Sequence, residues 1–247
     1  MNNHATIEKM KQMRLSGMVQ VHSTGMQTQI YKDYTIDQYT AQLVDQEWES
    51  RQGAKIANLI KAANFRQRAT IKDVDYTSSR NLDRNVFERL GTLDFLKQRE
   101  NIIITGATGT GKSYLAQAIG NQACILTYKT VYFTMSKLME SIQIAKLEGG
   151  YHRLLLKLQK NDLLILDDFG LHSFDSTLRH TLMDILDYKY DQTSIIITSQ
   201  VPVASWFDLI GEATIADAIL DRLVNSSHRI DLKGESLRKN KLKNIKK

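Results

Sequence analysis

Residues 106–113 read GATGTGKS, the spacing G-x-x-x-x-G-K-[ST] of a phosphate-binding loop. Gly106, Gly109 and Gly111 lack a Cβ, so the backbone can wrap closely and aim successive N–H groups at phosphate oxygens. Ala107, Thr108 and Thr110 fill the wrap between them, and Tyr114 follows it. Lys112 is placed to reach the β- and γ-phosphates as a point charge, and the Ser113 hydroxyl to ligate magnesium. The chemistry implied is the binding of a nucleoside triphosphate with Mg2+.

Further along, Asp162–Asp168 (DLLILDD) is an apolar strand ending in two carboxylates. In a phosphate-loop protein Asp167 holds magnesium, usually through water, and Asp168 at the strand tip can orient or deprotonate an attacking water. Ser194–Gln200 (SIIITSQ) reads as a buried strand ending in three polar side chains. Ser199 or Gln200 can deliver a sensor to the γ-phosphate, and spacing does not choose between them. Arg222 closes a helical pattern of Ile215, Ala218, Ile219 and Leu223. It can either reach a neighbouring copy's γ-phosphate or pair with an acid of its own chain. Lys146, Arg153, Lys157 and Lys160, spaced by seven, four and three, share one helical face that can follow a phosphate backbone or simply face solvent. The histidines show no metal-ligand spacing.

These residues require elements to hold them. Apolar runs at Ile102–Thr105, Val131–Met135, Leu163–Asp167, Ser194–Ser199 and His228–Leu232 alternate with helical patterns, which predicts a parallel sheet with helices on both faces. Leu115, Ala116, Ile119, Ala123 and Leu126 mark a helix leaving the loop, its N-terminal dipole directed at the phosphates. The first 75 residues look helical. A rough stripe over Ile7–Val21 breaks near Gly17 and Gly25, and a stronger helix runs from a capping box at Thr35–Gln38 to about Asn64. Arg66–Tyr76 has no period, and a helix is expected over Leu82–Leu96. The division expected is 1–75, a helical domain, and 76–247, a nucleotide-binding domain with a basic tail.

The 247 residues can bury a sizeable core, and 42% hydrophobic with 24% charged content is ordinary for a globular protein. One cysteine, Cys124, excludes an internal disulfide and fits a reduced cytoplasm. No targeting or membrane-spanning segment is expected. Net charge is +6, and residues 229–247 carry eight Lys/Arg against two acids, so the whole surplus sits there. A tail of this kind attracts polyanions, nucleic acid first.

Four segments together carry a resemblance: TIEKMKQMRLSGM, ENIIITGATGTGKSYLAQAIGNQAC, NDLLILDDFG, and the stretch from Ser199 to Lys239. They resemble the IstB-like helper ATPases of insertion sequences, in the DnaA/DnaC branch of the AAA+ ATPases. The resemblance implies a five-stranded α/β core of order 5-1-4-3-2 behind a small helical domain, without a lid domain. It implies ATP and Mg2+ as ligands, ATP-dependent homo-oligomers on duplex DNA, and recruitment of a partner transposase. Arg222 lies where relatives place a trans-acting arginine, and Ser136–Lys160 matches a helix that lines the DNA channel in related assemblies. The chain departs from the family pattern in places: Ala107 replaces a proline frequent in the loop, and a lid-borne second sensor has no home. Asp168 stands where many related ATPases use glutamate, one methylene longer. Lys189 stands where an arginine is common. Arg238 is the substitute at hand for a lid-borne sensor. A replicative helicase loader shares this core and is the alternative; a small-molecule phosphotransferase would need a substrate pocket and closing lid that the chain does not suggest.

Overall fold

The computed structural model describes residues 3–77, 79–171, 174–189 and 192–237. It divides into two compact units, Met1–Asn58 and Leu59–Lys247. No helix among the described residues is long and apolar enough to cross a membrane.

The first unit contains α1 (Asn3–Gln12), α2 (Ser16–Thr28) and most of α3 (Ile36–Ala63). The capping box starts α3. Thr35 Oγ1 accepts from Gln38 N–H at 3.2 Å, and Gln38 Oε1 accepts from Thr35 N–H at 2.9 Å. Gly17 and Gly25 do not break the chain as expected but lie buried within α2. At Gly17 a Cβ would fall 2.4 Å from the Gln46 carbonyl oxygen, so the missing side chain lets α2 approach α3. Glu47 of α3 accepts from the N–H groups of Gly17 at 2.8 Å and Met18 at 3.3 Å, donors that Leu15 at the helix cap leaves without a side-chain partner. Arg51, with these two N–H groups, holds the Glu47 carboxyl below the usual carboxylate range.

The boundary between units falls at Asn58/Leu59 rather than near residue 75. The aperiodic stretch before Tyr76 packs on the second unit, where Phe65, Ile71, Val74 and Tyr76 join its core. Two further expectations of single helices are corrected. Over Leu82–Leu96 the chain forms α4 (Arg84–Leu90), capped by Asp83, and α5 (Asp94–Gln98), separated where Leu93 takes a φ of 65°. The rest follows in the order β1 (Asn101–Gly106), α6 (Lys112–Ile125), β2 (Thr130–Thr134), α7 (Met135–Leu147), α8 (Tyr151–Gln159), β3 (Leu163–Phe169), α9 (Ser176–Lys189), β4 (Ser194–Ser199), α10 (Trp206–Ile210), α11 (Ala213–Val224) and β5 (Ser227–Leu232). Over 136–160, then, two helices stand in place of one. Met135 belongs to α7 and not to the strand, because the Thr134 hydroxyl caps that helix by accepting from Lys137 N–H.

The five strands pair in the order β2-β3-β4-β1-β5, every pair parallel, which is the 5-1-4-3-2 arrangement expected. Strand periodicity sorts the apolar side chains. Ile103, Leu164, Leu166, Ile195 and Ile197 face α7 to α11, whereas Ile102, Ile104, Leu163, Ile165 and Ile196 face α4 to α6. Parallel pairing has a functional consequence, since the turns that leave β1, β3 and β4 all emerge at one end of the sheet. Turns that enter the strands collect at the other end.

Candidate nucleotide-binding site

At the carboxyl end of β1 the phosphate loop has the backbone its glycines permit. Gly106, Gly109 and Gly111 take φ of 144°, 85° and 98°. A Cβ at Gly109 would fall 2.0 Å from Ser236 Oγ, and one at Gly111 2.5 Å from an Arg80 guanidinium nitrogen. The buried Thr110 hydroxyl donates to the Ala107 carbonyl at 2.9 Å and tightens the loop. Lys112, buried with 6% exposed, donates to the carbonyls of Gly106 at 2.8 Å and Ala107 at 2.9 Å, so its ammonium lies in the mouth of the loop. Gly111 caps α6 without a side-chain hydrogen bond, which leaves the first N–H groups of that 14-residue helix directed at the same space. The Tyr114 hydroxyl sits apart from this cluster, 3.5 Å from Thr70 N–H.

The acidic pair arrives from β3. Asp167 is 1% exposed, and its Oδ1 accepts from Ser113 Oγ at 2.9 Å, from Asp168 N–H at 3.2 Å and from the Thr198 hydroxyl. Its Oδ2 accepts from the Tyr132 hydroxyl at 2.5 Å. Burial first, then the Asp167 carboxylate, pushes the Tyr132 hydroxyl well above the usual phenol range, so it stays a donor. Asp168 takes a φ of 62°, and the ladder between β3 and β4 shifts register between Leu166 and Phe169. That turn swings Asp168 out of the strand's alternation at its tip.

Period two also separates the sensor candidates. Thr198 shares the Asp167 side of the sheet, while the Ser199 hydroxyl lies buried on the other, donating to Phe169 O at 2.7 Å and accepting from Val201 N–H at 3.0 Å. Gln200, one residue beyond the strand, accepts from Thr108 Oγ1 of the loop at 2.6 Å. The structure therefore brings Gln200 to the phosphate loop and leaves Ser199 in the core.

Two participants had no signal in the sequence pattern. Arg80, 3% exposed, donates to Thr110 O at 3.0 Å and to Asp75 O at 2.6 Å, and burial lowers its pKa. Leu237 N–H donates to Gly109 O at 2.9 Å, so the segment after β5 also braces the loop. Thr198 is the first of three polar residues ending SIIITSQ, and Tyr132 lies unmarked inside a strand run. Their use became visible only through the strand register.

The remaining candidates lie elsewhere. Arg222, at the end of α11, stands at the opposite end of the sheet, where Asn101, first residue of β1, donates to its carbonyl at 3.0 Å. Its guanidinium pairs with Asp187 at 2.8 Å and donates to Ala218 O at 2.9 Å. A cavity of about 220 Å³ there is lined by Arg99, Asn101, Lys189, Asp221 and Arg222 among others. Lys189 is 1% exposed, donating to Asn161 O at 3.1 Å and Thr193 Oγ1 at 2.9 Å; burial pulls its pKa down to about 8. The basic stripe is corrected in part. Arg153 and Lys157 of α8 and Lys160 at its C-cap are exposed, but Lys146 belongs to α7, across the turn at Gly149–Gly150. Its ammonium donates to Thr181 Oγ1 at 3.3 Å and lies 4.9 Å from the Tyr151 ring centroid. Arg238 and the lysines after it lie outside the described residues.

The donor set suits a nucleoside triphosphate with magnesium: a glycine cradle closed to any Cβ, an ammonium in its mouth, a helix N-terminus without a side-chain cap, and a hydroxyl and a carboxylate 2.9 Å apart. Among the described residues no group of three or more His, Cys, Asp or Glu could hold a metal. Magnesium, which keeps most of its waters and takes phosphate oxygens, needs no such cluster.

Comparison with known proteins places this site in context. Residues 8–244 match the family described as IstB-like ATP binding protein. A protein of Sinorhizobium fredii described as an insertion sequence ATP-binding protein is 40% identical over 237 residues, covering 96% of this chain and 97% of that one. Among solved structures, AMPPCP-bound DnaA from Aquifex aeolicus aligns with a TM-score of 0.58 at 21% identity, over 74% of this chain and 56% of that chain. The DnaC helicase loader aligns with a TM-score of 0.55 at 17% identity, over 67% and 97%. At such identities the two structures speak for the fold alone, a phosphate-loop AAA+ core.

Proposed function

The chain belongs to the IstB-like ATP binding proteins, and from that premise we propose that it is an ATP-hydrolysing, DNA-binding helper of transposition. In this reading ATP with Mg2+ occupies the phosphate loop. Bound magnesium would supply positive charge to the phosphates. Ser113 and Asp167 would hold it, Lys112 would leave its loop carbonyls for the γ-phosphate, and Asp168 would orient the attacking water. Gln200 is the sensor candidate that the geometry favours, through its contact with Thr108.

One observation carries the proposal that copies act together: the distance between Arg222 and its own phosphate loop. Asn101 bonds the Arg222 carbonyl, while the loop begins at Gly106, the far end of the same strand. Six strand residues span roughly 16–20 Å, so Arg222 can complete a γ-phosphate site only on another copy of the chain. ATP would then join neighbouring copies into an oligomer on duplex DNA. Arg153 and Lys157 of α8 and Lys160 just after it, with the basic tail, would track the phosphate backbone. The helical unit before Asn58 would meet the partner transposase, and the cytoplasm is the compartment this function needs.

The test is the affinity of the full chain for a labelled duplex with Mg-ATP and with Mg-ADP. Tighter binding with ATP, by about tenfold or more, is expected, with a salt slope that falls by roughly 0.9 for each α8 cation removed. Equal affinity with the two nucleotides would overturn the mechanism. A helicase loader would share the core, and capture of a hexameric helicase in place of a transposase would favour it.

A further inference from the structure

The two residues that would hold magnesium are both supported from behind by the same short stretch of chain. Asp167 Oδ2 accepts from Tyr132 at 2.5 Å, and the Tyr132 ring, with only 2% of the residue exposed, lies tilted against Phe65 with centroids 6.5 Å apart. Gln117 of α6, 1% exposed, donates to the Ser113 carbonyl at 2.9 Å. Its Oε1 accepts from the N–H groups of Arg66 at 2.8 Å and Gln67 at 3.2 Å. Gly120, one helical turn past Gln117, keeps this docking possible. A Cβ there would fall 2.9 Å from Phe65 Cε1 and 2.6 Å from Ile165 Cδ1.

A buried carboxylate turns about its Cβ–Cγ bond until both oxygens find donors, because an unpaired one is costly. Oδ1 of Asp167 has Ser113, Thr198 and the Asp168 N–H, whereas Tyr132 is the partner on Oδ2. Without Tyr132 the group can rotate to share its Oδ1 donors, and Ser113 and Asp167 lose their alignment. We propose that Tyr132 is a positioning residue for the metal-binding carboxylate: it locks Asp167 Oδ2 so that Oδ1 faces Ser113, and the Phe65–Gln67 segment sets that lock. This rests on the reading of Ser113 and Asp167 as the magnesium pair. It adds a role for Tyr132 and a route by which the segment directly after α3 controls metal affinity.

The experiment uses the full chain and its Tyr132→Phe variant, which keeps the ring and removes the hydroxyl. Manganese binding to the ADP complex, followed by electron paramagnetic resonance, is the first readout. Fluorescent ADP binding in EDTA is the second. The variant is expected to bind manganese about tenfold or more weakly, the usual scale for losing a partner of a metal ligand, with metal-free nucleotide affinity unchanged. Unchanged manganese affinity, or a parallel loss of nucleotide in EDTA, would overturn the proposal. Phe65→Leu, which loosens the ring contact without touching Asp167, is expected to shift manganese binding less but in the same direction. Should Tyr132→Phe fail to fold, no shift in Phe65→Leu overturns the proposal by itself. Failure of the wild-type chain to bind manganese with ADP would instead overturn the magnesium reading beneath it.

Discussion

At the carboxyl end of the sheet, polar groups converge on one another. Asp167 gathers Ser113, Tyr132 and Thr198, Lys112 folds onto loop carbonyls, and Gln200 meets Thr108. At the amino end, cations sit on separate partners and do not converge on one group. Arg222 pairs with the half-exposed Asp187, and Lys189 is buried against a carbonyl and a hydroxyl. One end is organised to receive a ligand within the chain. At the other, Arg222 is held by a part-exposed ion pair that is cheap to exchange, while Lys189 is locked in the interior.

Removing Arg222 is the strongest way to break this comparison. Arg222→Ala is expected to slow ATP hydrolysis by about 10³ or more while leaving nucleotide affinity of the isolated chain unchanged. Mixing it with Lys112→Ala should restore part of the rate, because each variant supplies what the other lacks; turnover assays on the mixture decide. Next in size is the pH dependence of Lys189. Its folded-state pKa of about 8 lies below the ordinary 10.5, so between these values the native chain binds fewer protons than the unfolded one, and stability rises with pH. The rise is on the order of 3 kcal/mol and should be absent in Lys189→Met, as read by urea denaturation at pH 7.5 and pH 10. Gly109→Ala probes the ligand end. A left-handed φ and the approach of Ser236 should cost about 1 kcal/mol or more in stability and weaken ATP binding measured by calorimetry. Asp187→Asn should have the smallest effect. Loss of this part-exposed pair should cost less than about 1 kcal/mol and leave nucleotide affinity alone, and a larger loss of binding would blur the division between the two ends.

Much of this division is legible in the amino-acid sequence. The phosphate loop, the carboxylates ending DLLILDD and the five strand positions follow from local spacing and short apolar runs, signals that neighbouring residues carry themselves, whereas the strand order came with the family resemblance. What escaped depends on distant pairing. Tyr132 gains its role from lying across from Ile165 on β3, two residues before Asp167, and nothing in TVYFT marks it. Arg80 lies between the aperiodic stretch ending at Tyr76 and the helix expected from Leu82, and its worth comes from the Thr110 carbonyl. Gly17 read as a break because glycine weakens helices, yet tertiary contact with Gln46 overrode that preference. The basic face of 136–160 failed at Lys146 because Gly149, at a φ of 67°, let the chain turn between two helices.

The conformation of Asp168 bears on why an aspartate stands there. Its φ of 62° belongs to a region that L-residues enter at about 1–2 kcal/mol, with aspartate and asparagine the readiest because a short polar side chain can bond locally. A glutamate would gain reach toward a water and lose that ease, so lengthening the acid trades backbone comfort for proximity. The shorter carboxylate is in this sense a tenant chosen by the bend it occupies.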